Sequence, residues 1–132
     1  MKNRKTKQKE IIIKALRKDR SHPTITDIYK KISSEYPHIG KATVYRNVNS
    51  LVELGQIEKV TDLTGQFHYD GNEQEHIHLI CTNCQKILDI FDVDKKEIIS
   101  KITSNNSIVV ENISITCKGL CPDCQKLLSN NK

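Results

Sequence analysis

The 132-residue chain has no tryptophan, one methionine, two phenylalanines, five glycines and three prolines, and it lacks any long hydrophobic run. Near its N-terminus the apolar stretch is only Ile11-Ile12-Ile13, closed at once by Lys14. That excludes a signal-peptide core and a bilayer-spanning helix, and it predicts a cytoplasmic protein with no membrane partner. No internal repeat is visible, and no Gly-rich loop offers a cradle for a small-molecule substrate. At 36% hydrophobic and 28% charged residues the composition is that of a soluble globular protein. A conventional core for two small lobes is nevertheless thin, a shortfall that small domains commonly make up with a structural metal or a dimer interface.

Charge is unevenly spread. Residues 1–60 hold 14 Lys and Arg against 6 Asp and Glu, net +8, whereas residues 61–132 hold 7 against 10, net −3. The first half is built to meet an anion, or else it is a solvated basic surface. Its periodicity predicts a helix over 6–18 with Ile12, Ile13 and Leu16 on one face. A second helix is expected from Thr24, an N-cap with Asp27 in a capping-box position, to about Glu35 before Pro37. A third is expected from Lys41 to Leu54, opened by Gly40 and closed by Gly55. Val44, Val48, Leu51 and Val52 form its apolar stripe, leaving Thr43, Tyr45, Arg46, Asn47 and Asn49 outward, groups suited to base edges and phosphates. Segments 56–61 and 66–70 read as a hairpin around Asp62-Leu63-Thr64-Gly65. Three helices and a two-stranded wing make residues 1–70 a winged helix-turn-helix domain, with a generic three-helix interaction domain as the alternative.

Residues 71–75 read as a polar linker. Beyond it, strands are expected at 77–81, 86–91 and 108–118, with helices over 94–104 and after Cys121, so that 76–132 forms an α+β lobe whose open edge invites dimerisation.

Two sets of metal-binding side chains emerge. Cys81-x-x-Cys84 and Cys121-x-x-Cys124 are knuckles separated by 36 residues, and in the reducing cytosol such pairs are better explained by metal than by disulfides. Four thiolates close a tetrahedral zinc site completely, so its role would be structural; a redox dithiol is the other reading. Cys117 is left over, as a partly buried small side chain. The second set is His22, His68, His76, His78 and Asp89. His76 and His78 share a strand face, Asp89 lies on the next strand, His68 ends the wing and His22 sits in the first interhelical break. One ion held by all five would tie the two lobes together. A metallohydrolase would need an open coordination position and a base, for which only Glu73 and Glu75 in the linker are at hand. A zinc-stapled interaction module would show no salt-dependent affinity for DNA.

With these residues in hand, the chain resembles the ferric uptake regulator family of metal-dependent transcriptional repressors. The resemblance is carried by His22-Pro23-Thr24 with Asp27-Ile28-Tyr29, by Ala42-Thr43-Val44-Tyr45-Arg46-Asn47, by His76-x-His78-x-x-Cys81-x-x-Cys84 with Lys86 and Asp89, and by Cys121-x-x-Cys124. It implies an α+β chain with an N-terminal winged helix that reads a palindromic DNA operator and a C-terminal dimerisation domain. It also implies a homodimer, a four-cysteine structural zinc and a separate regulatory metal. The peroxide-sensing branch is the most similar, with His22, His76, His78 and Asp89 matching its regulatory site and His68 standing where that branch usually has Asp. By this resemblance the regulatory ion is Fe(II) or Mn(II), with Zn(II) and Ni(II) open, and peroxide oxidises His22 or His76. The DNA contacts expected are Lys41, Thr43, Tyr45, Arg46 and Asn49. The protein is then a sensor and not an enzyme; an iron or zinc homeostasis regulator without peroxide sensing is the alternative.

Overall fold

A computed structural model describes residues 4–130, which divide into two compact units with the boundary between Glu73 and Gln74. The first unit runs α1 (Arg4–Lys18), α2 (Ile25–Glu35), α3 (Lys41–Glu53), β1 (Glu58–Thr61) and β2 (Phe67–Asp70). α1 begins two residues before the expected start. α2 begins as its sequence dictates: Thr24 accepts from the Asp27 amide and the Asp27 carboxylate accepts from the Thr24 amide, a complete capping box. α3 follows Gly40 and ends before Gly55, whose φ of 72° is the left-handed conformation that glycine adopts most cheaply. The core joins Ile12 and Leu16 of α1, Ile28 and Ile32 of α2, Val44, Val48 and Leu51 of α3, and Tyr69 of β2. β1 and β2 pair antiparallel with Val60 opposite His68 and Glu58 opposite Asp70.

The end of this unit is pinned. The Arg17 guanidinium donates to the carbonyl oxygens of Gln56 and Gly71, each at 2.8 Å, and pairs with Glu73 at 2.8 Å. Gly71 lies so close to α1 that a Cβ there would stand 2.7 Å from Leu16 backbone atoms. The boundary between units falls inside the 71–75 segment, but residues 71–73 are held to α1 instead of hanging as a free linker.

The second unit holds β3 (Ile77–Cys81), β4 (Ile87–Ile90), α4 (Lys95–Asn106), β5 (Thr116–Gly119) and α5 (Pro122–Asn130). The sheet order is β4-β3-β5, with β3 antiparallel to β4 and parallel to β5. A parallel pair requires a crossover, and α4, capped by the Asp94 carboxylate on the Lys96 amide, lies in it. The expected strand over 108–118 is reduced to its last part. Residues 108–114 carry β-branched side chains but pair with no strand among the described residues, and Val109 is 89% exposed; contact with β3 begins at Ile115, whose carbonyl accepts from the His78 amide at 3.0 Å. Propensity without a ladder partner does not make a strand. Among the described residues no helix is long and apolar enough to cross a membrane.

Gly71→Ala should destabilise the N-terminal unit by about 1–3 kcal/mol through overpacking against Leu16, read from its urea or thermal unfolding transition. An unchanged midpoint would mean that the close approach at Leu16 relaxes freely.

Candidate metal centres and nucleic-acid interface

β3 ends in Cys81 and turns through Gln85, whose φ of 66° reverses the chain and lets the Cys81 amide donate to the Lys86 carbonyl at 2.9 Å. This turn carries Cys84. The second knuckle forms where β5 gives way to α5, with Cys121 just before the helix and Cys124 in its first turn. The knuckles are alike in detail: the Cys84 amide donates to Cys81 Sγ at 3.5 Å and the Cys124 amide to Cys121 Sγ at 3.4 Å. Among the described residues the four sulfur atoms all lie within 4.8 Å of one another. The 3.8 Å between Cys84 Sγ and Cys121 Sγ matches the edge of about 3.8 Å expected of a tetrahedron with ~2.3 Å zinc–sulfur bonds. Cys117 stands apart, half-buried in β5 opposite Leu79.

The protons of this cluster are unequally held. Backbone hydrogen bonds from Cys121 and Cys84 bring the Cys81 thiol down to about 6. At Cys124 the Asn83 amide, 3.3 Å away, favours the thiolate, but the Cys121 thiol, burial and the other two thiols outweigh it and push that group up to about 12. Four thiols in so small a volume cannot all ionise without a cation to offset the charge, so the set suits a metal and does not suit one redox-active pair.

The second constellation of this unit is on the β3–β4 ladder. His76 and His78 are two residues apart, hence on one face, and His78 faces Asp89 directly in the register. The His76 Nε2 lies 3.1 Å from His78 Nε2; Asp89 Oδ1 lies 3.3 Å from His78 Nε2 and 3.6 Å from His76 Nε2. The His76 Nδ1 donates to the Gln74 carbonyl at 2.7 Å, which aims Nε2 at the cluster. Adjacent ligands of an ion with bonds of about 2.1 Å stand roughly 3.0–3.4 Å apart; the 3.1 and 3.3 Å separations match that spacing and the 3.6 Å one lies just beyond it.

His22, in the N-terminal unit, has a left-handed backbone with φ 55°, an unusual conformation for a residue bearing a Cβ. Its Nε2 lies 3.4 Å from Asp70 Oδ2, and both side chains are buried. His68 takes a different part: its Nδ1 donates to the His22 carbonyl oxygen at 2.7 Å and its Nε2 to Asp62 Oδ2 at 2.8 Å. The carboxylate facing His22 is therefore Asp70, two residues beyond His68 on the same face of β2. Alternation along β2 puts His68 and Asp70 on one face, and it is the sequence signal that marks Asp70 as a candidate beside His22.

On α3, Tyr45 is 52% exposed and Arg46 is exposed, with its guanidinium donating to the Thr43 hydroxyl at 3.3 Å. Lys41 donates to the Thr26 hydroxyl of α2 at 2.9 Å, and Asn49 is half-buried. Asn47, expected outward, is buried and donates to the Thr43 carbonyl, so it serves α3 itself. A cleft of about 500 Å³ between α1 and α3 brings Arg4, Lys5 and Lys9 beside Arg46; the α1 cations had looked like a general basic surface.

The family model for the "Ferric uptake regulator family" matches residues 1–118. The chain belongs to the ferric uptake regulator family. It is a metal-dependent transcriptional repressor of that family and not an enzyme; the family's regulators bind DNA and function as dimers. Among its relatives is the "Peroxide-responsive repressor PerR" of Staphylococcus aureus, 30% identical over 120 residues, spanning 91% of this chain and 81% of the relative. The protein of the same name from Staphylococcus saprophyticus is 30% identical over 122 residues. Of solved structures, the Campylobacter jejuni peroxide stress regulator superposes with a TM-score of 0.77 at 34% identity, covering 91% of this chain and 90% of that one. The Helicobacter pylori ferric uptake regulator, at 21% identity and a TM-score of 0.72 over 93% of this chain and 85% of that one, shares the fold.

For this family member the thiol chemistry has a measurable consequence. A bound cation must displace the protons that the thiols would otherwise hold, so affinity rises with pH wherever one is still protonated. Cys124, at about 12, contributes throughout the neutral range, whereas Cys81 adds a further proton only below about 6. Chelator competition between pH 5 and 8 should show metal affinity at the four-cysteine site falling with acidification, and falling more steeply below about pH 6. A pH-independent affinity would remove the thiols as the ligands.

Proposed function

We propose that this repressor is peroxide-responsive and cytoplasmic, and that it binds a palindromic operator as a homodimer when a regulatory metal is in place. The observation that carries the reading is the buried imidazole and carboxylate chemistry: His76, His78 and Asp89 converging in one unit, and His22 facing Asp70 in the other. Sequence relatives that bear the name of a peroxide-responsive repressor support it.

Zinc suits the four-cysteine set, a closed tetrahedral site that holds the C-terminal unit together. The regulatory ion takes His22, Asp70, His76, His78 and Asp89. With Asp70 in the set, three imidazoles and two carboxylates make a nitrogen and oxygen environment suited to Fe(II) or Mn(II). His68 lies outside this ligand set because both its ring nitrogens are engaged elsewhere. Fe(II), when bound, would activate peroxide beside its ligands, the two electrons that reduce the peroxide coming in net from a ligand imidazole. One imidazole, that of His22 or His76, would take up one peroxide oxygen in place of a ring C–H hydrogen while the other oxygen leaves as water, and a ligand so altered would no longer hold the ion.

On DNA, Tyr45 and Arg46 contact bases or backbone, with Lys41, Thr43 and Asn49 beside them. The cationic cleft of Arg4, Lys5, Lys9 and Arg46 follows a phosphate strand. In a dimer the two α3 helices enter successive major grooves about 34 Å apart.

Gel-shift titrations of the zinc-replete protein on operator DNA test this. Binding should require Fe(II) or Mn(II), and peroxide should abolish it with Fe(II) while sparing it with Mn(II). Mass spectrometry should then find one added oxygen on the peptide containing His22 or His76. Metal-dependent binding indifferent to peroxide would identify an iron or zinc homeostasis regulator instead. Arg46→Ala should weaken operator binding by about 1–3 kcal/mol; an unchanged affinity would remove Arg46 from the interface.

A further inference from the structure

The left-handed backbone of His22 needs an explanation, because no glycine is present to make it cheap and the residue sits in an open break between α1 and α2. Three successive residues of β2 supply one. The His68 ring donates to the His22 carbonyl at 2.7 Å, the Tyr69 amide donates to the Pro23 carbonyl at 2.9 Å, and Asp70 Oδ2 lies 3.4 Å from the His22 ring. Strand and break are thus joined by main chain and side chain together.

His68 is itself held from behind. Asp62, the residue after β1, accepts through Oδ1 from the Thr64 amide at 2.8 Å, the Gln66 amide at 3.0 Å and the Thr64 hydroxyl at 2.6 Å, bonds that define the tip of the wing. Its other oxygen, Oδ2, accepts from His68 Nε2 at 2.8 Å. Both ring nitrogens of His68 therefore face acceptors, a carboxylate on one side and a backbone carbonyl on the other. These bonds to Thr64 and His68 hold the Asp62 carboxyl well below the usual carboxylate range.

We propose that Asp62 and His68 are positioning residues for the regulatory metal: they hold the His22 backbone in the conformation that aims its imidazole at Asp70, and so make metal affinity depend on the wing turn. This rests on the reading of His22 as a ligand. A group that orients a ligand without touching the ion changes affinity through the ligand's preorganisation, typically by 10–100-fold. The linkage is reciprocal: whatever fixes the wing turn favours the ion, and the ion favours that turn.

The test uses the full-length, zinc-replete protein with Mn(II) alone as the probe, free Mn(II) being read by electron paramagnetic resonance. His68→Leu, which removes both donors, and Asp62→Asn, which weakens the acceptor while keeping an oxygen for the turn, should each lower Mn(II) affinity about 10–100-fold. Zinc content and the unfolding transition of the manganese-free protein should not move. His68→Arg, a cation with several donors that can serve both acceptors, should recover most of the affinity. His22→Ala serves as the reference for the ligand itself. If His22→Ala loses manganese while His68→Leu and Asp62→Asn bind as tightly as the native protein, the positioning role is wrong and the ligand reading stands. If His22→Ala binds normally, the ligand reading itself fails. If His68→Arg is as weak as His68→Leu with zinc and stability intact, the imidazole acts as a ligand and the positioning role is again overturned.

Discussion

Ionised sulfur atoms a few ångströms apart repel one another, and the C-terminal unit is built around four thiols whose sulfur atoms all lie within 4.8 Å of one another, Cys84 and Cys121 at 3.8 Å. Its buried cluster consists of Cys81, Cys121 and Cys124 with Leu88 against them, and beyond it only Ile77 and Ile80 of β3 are buried apolar side chains among the described residues of this unit, so there is little apolar mass to hold β3, the β5–α5 corner and the turn after Cys81 in register. A cation that offsets the thiolate charge therefore takes the place of a hydrophobic core. The strand so anchored also carries His76 and His78, so the precision of the second constellation descends from the first.

The N-terminal unit works by other means. Its core is an ordinary meeting of helix stripes, Ile12 and Leu16 with Ile28, Ile32, Val44, Val48 and Leu51, and β2 closes it with Tyr69. Because strand side chains alternate, the face opposite Tyr69 presents His68 and Asp70 to the break between α1 and α2. A hairpin in this fold class is usually thought of as something that touches DNA. Here its second strand is equally a wall of the place where His22 sits.

Much of this was legible in the sequence where the determinants are local. The capping box of Thr24 and Asp27, the helix-stopping Gly55, the hairpin around Asp62 to Gly65, and β3 with its two histidines and two cysteines all depend on residues a few positions apart. What depended on distant partners was not. Asp70 matters because His22, far away in sequence, approaches it. His68 looked like a ligand because an imidazole near others invites that reading, whereas its actual partners are a carbonyl and a turn carboxylate. Asn47 was assigned to the surface by helical phase but lies buried, bonded to its own helix. Residues 108–114 have the side chains of a strand but no strand beside them among the described residues.

The order of the knuckles along the chain also has a bearing on biogenesis. During synthesis, Cys81 and Cys84 leave the ribosome long before Cys121 and Cys124, and β5, which must lie parallel beside β3, is made in the interval just before the second knuckle. The N-terminal unit, whose contacts are complete by residue 73, can finish folding while the C-terminal unit still waits to close its long loop. A nascent chain thus passes through a stage with a formed winged helix and an unfinished second half, and a shortage of metal in the cell would prolong that stage.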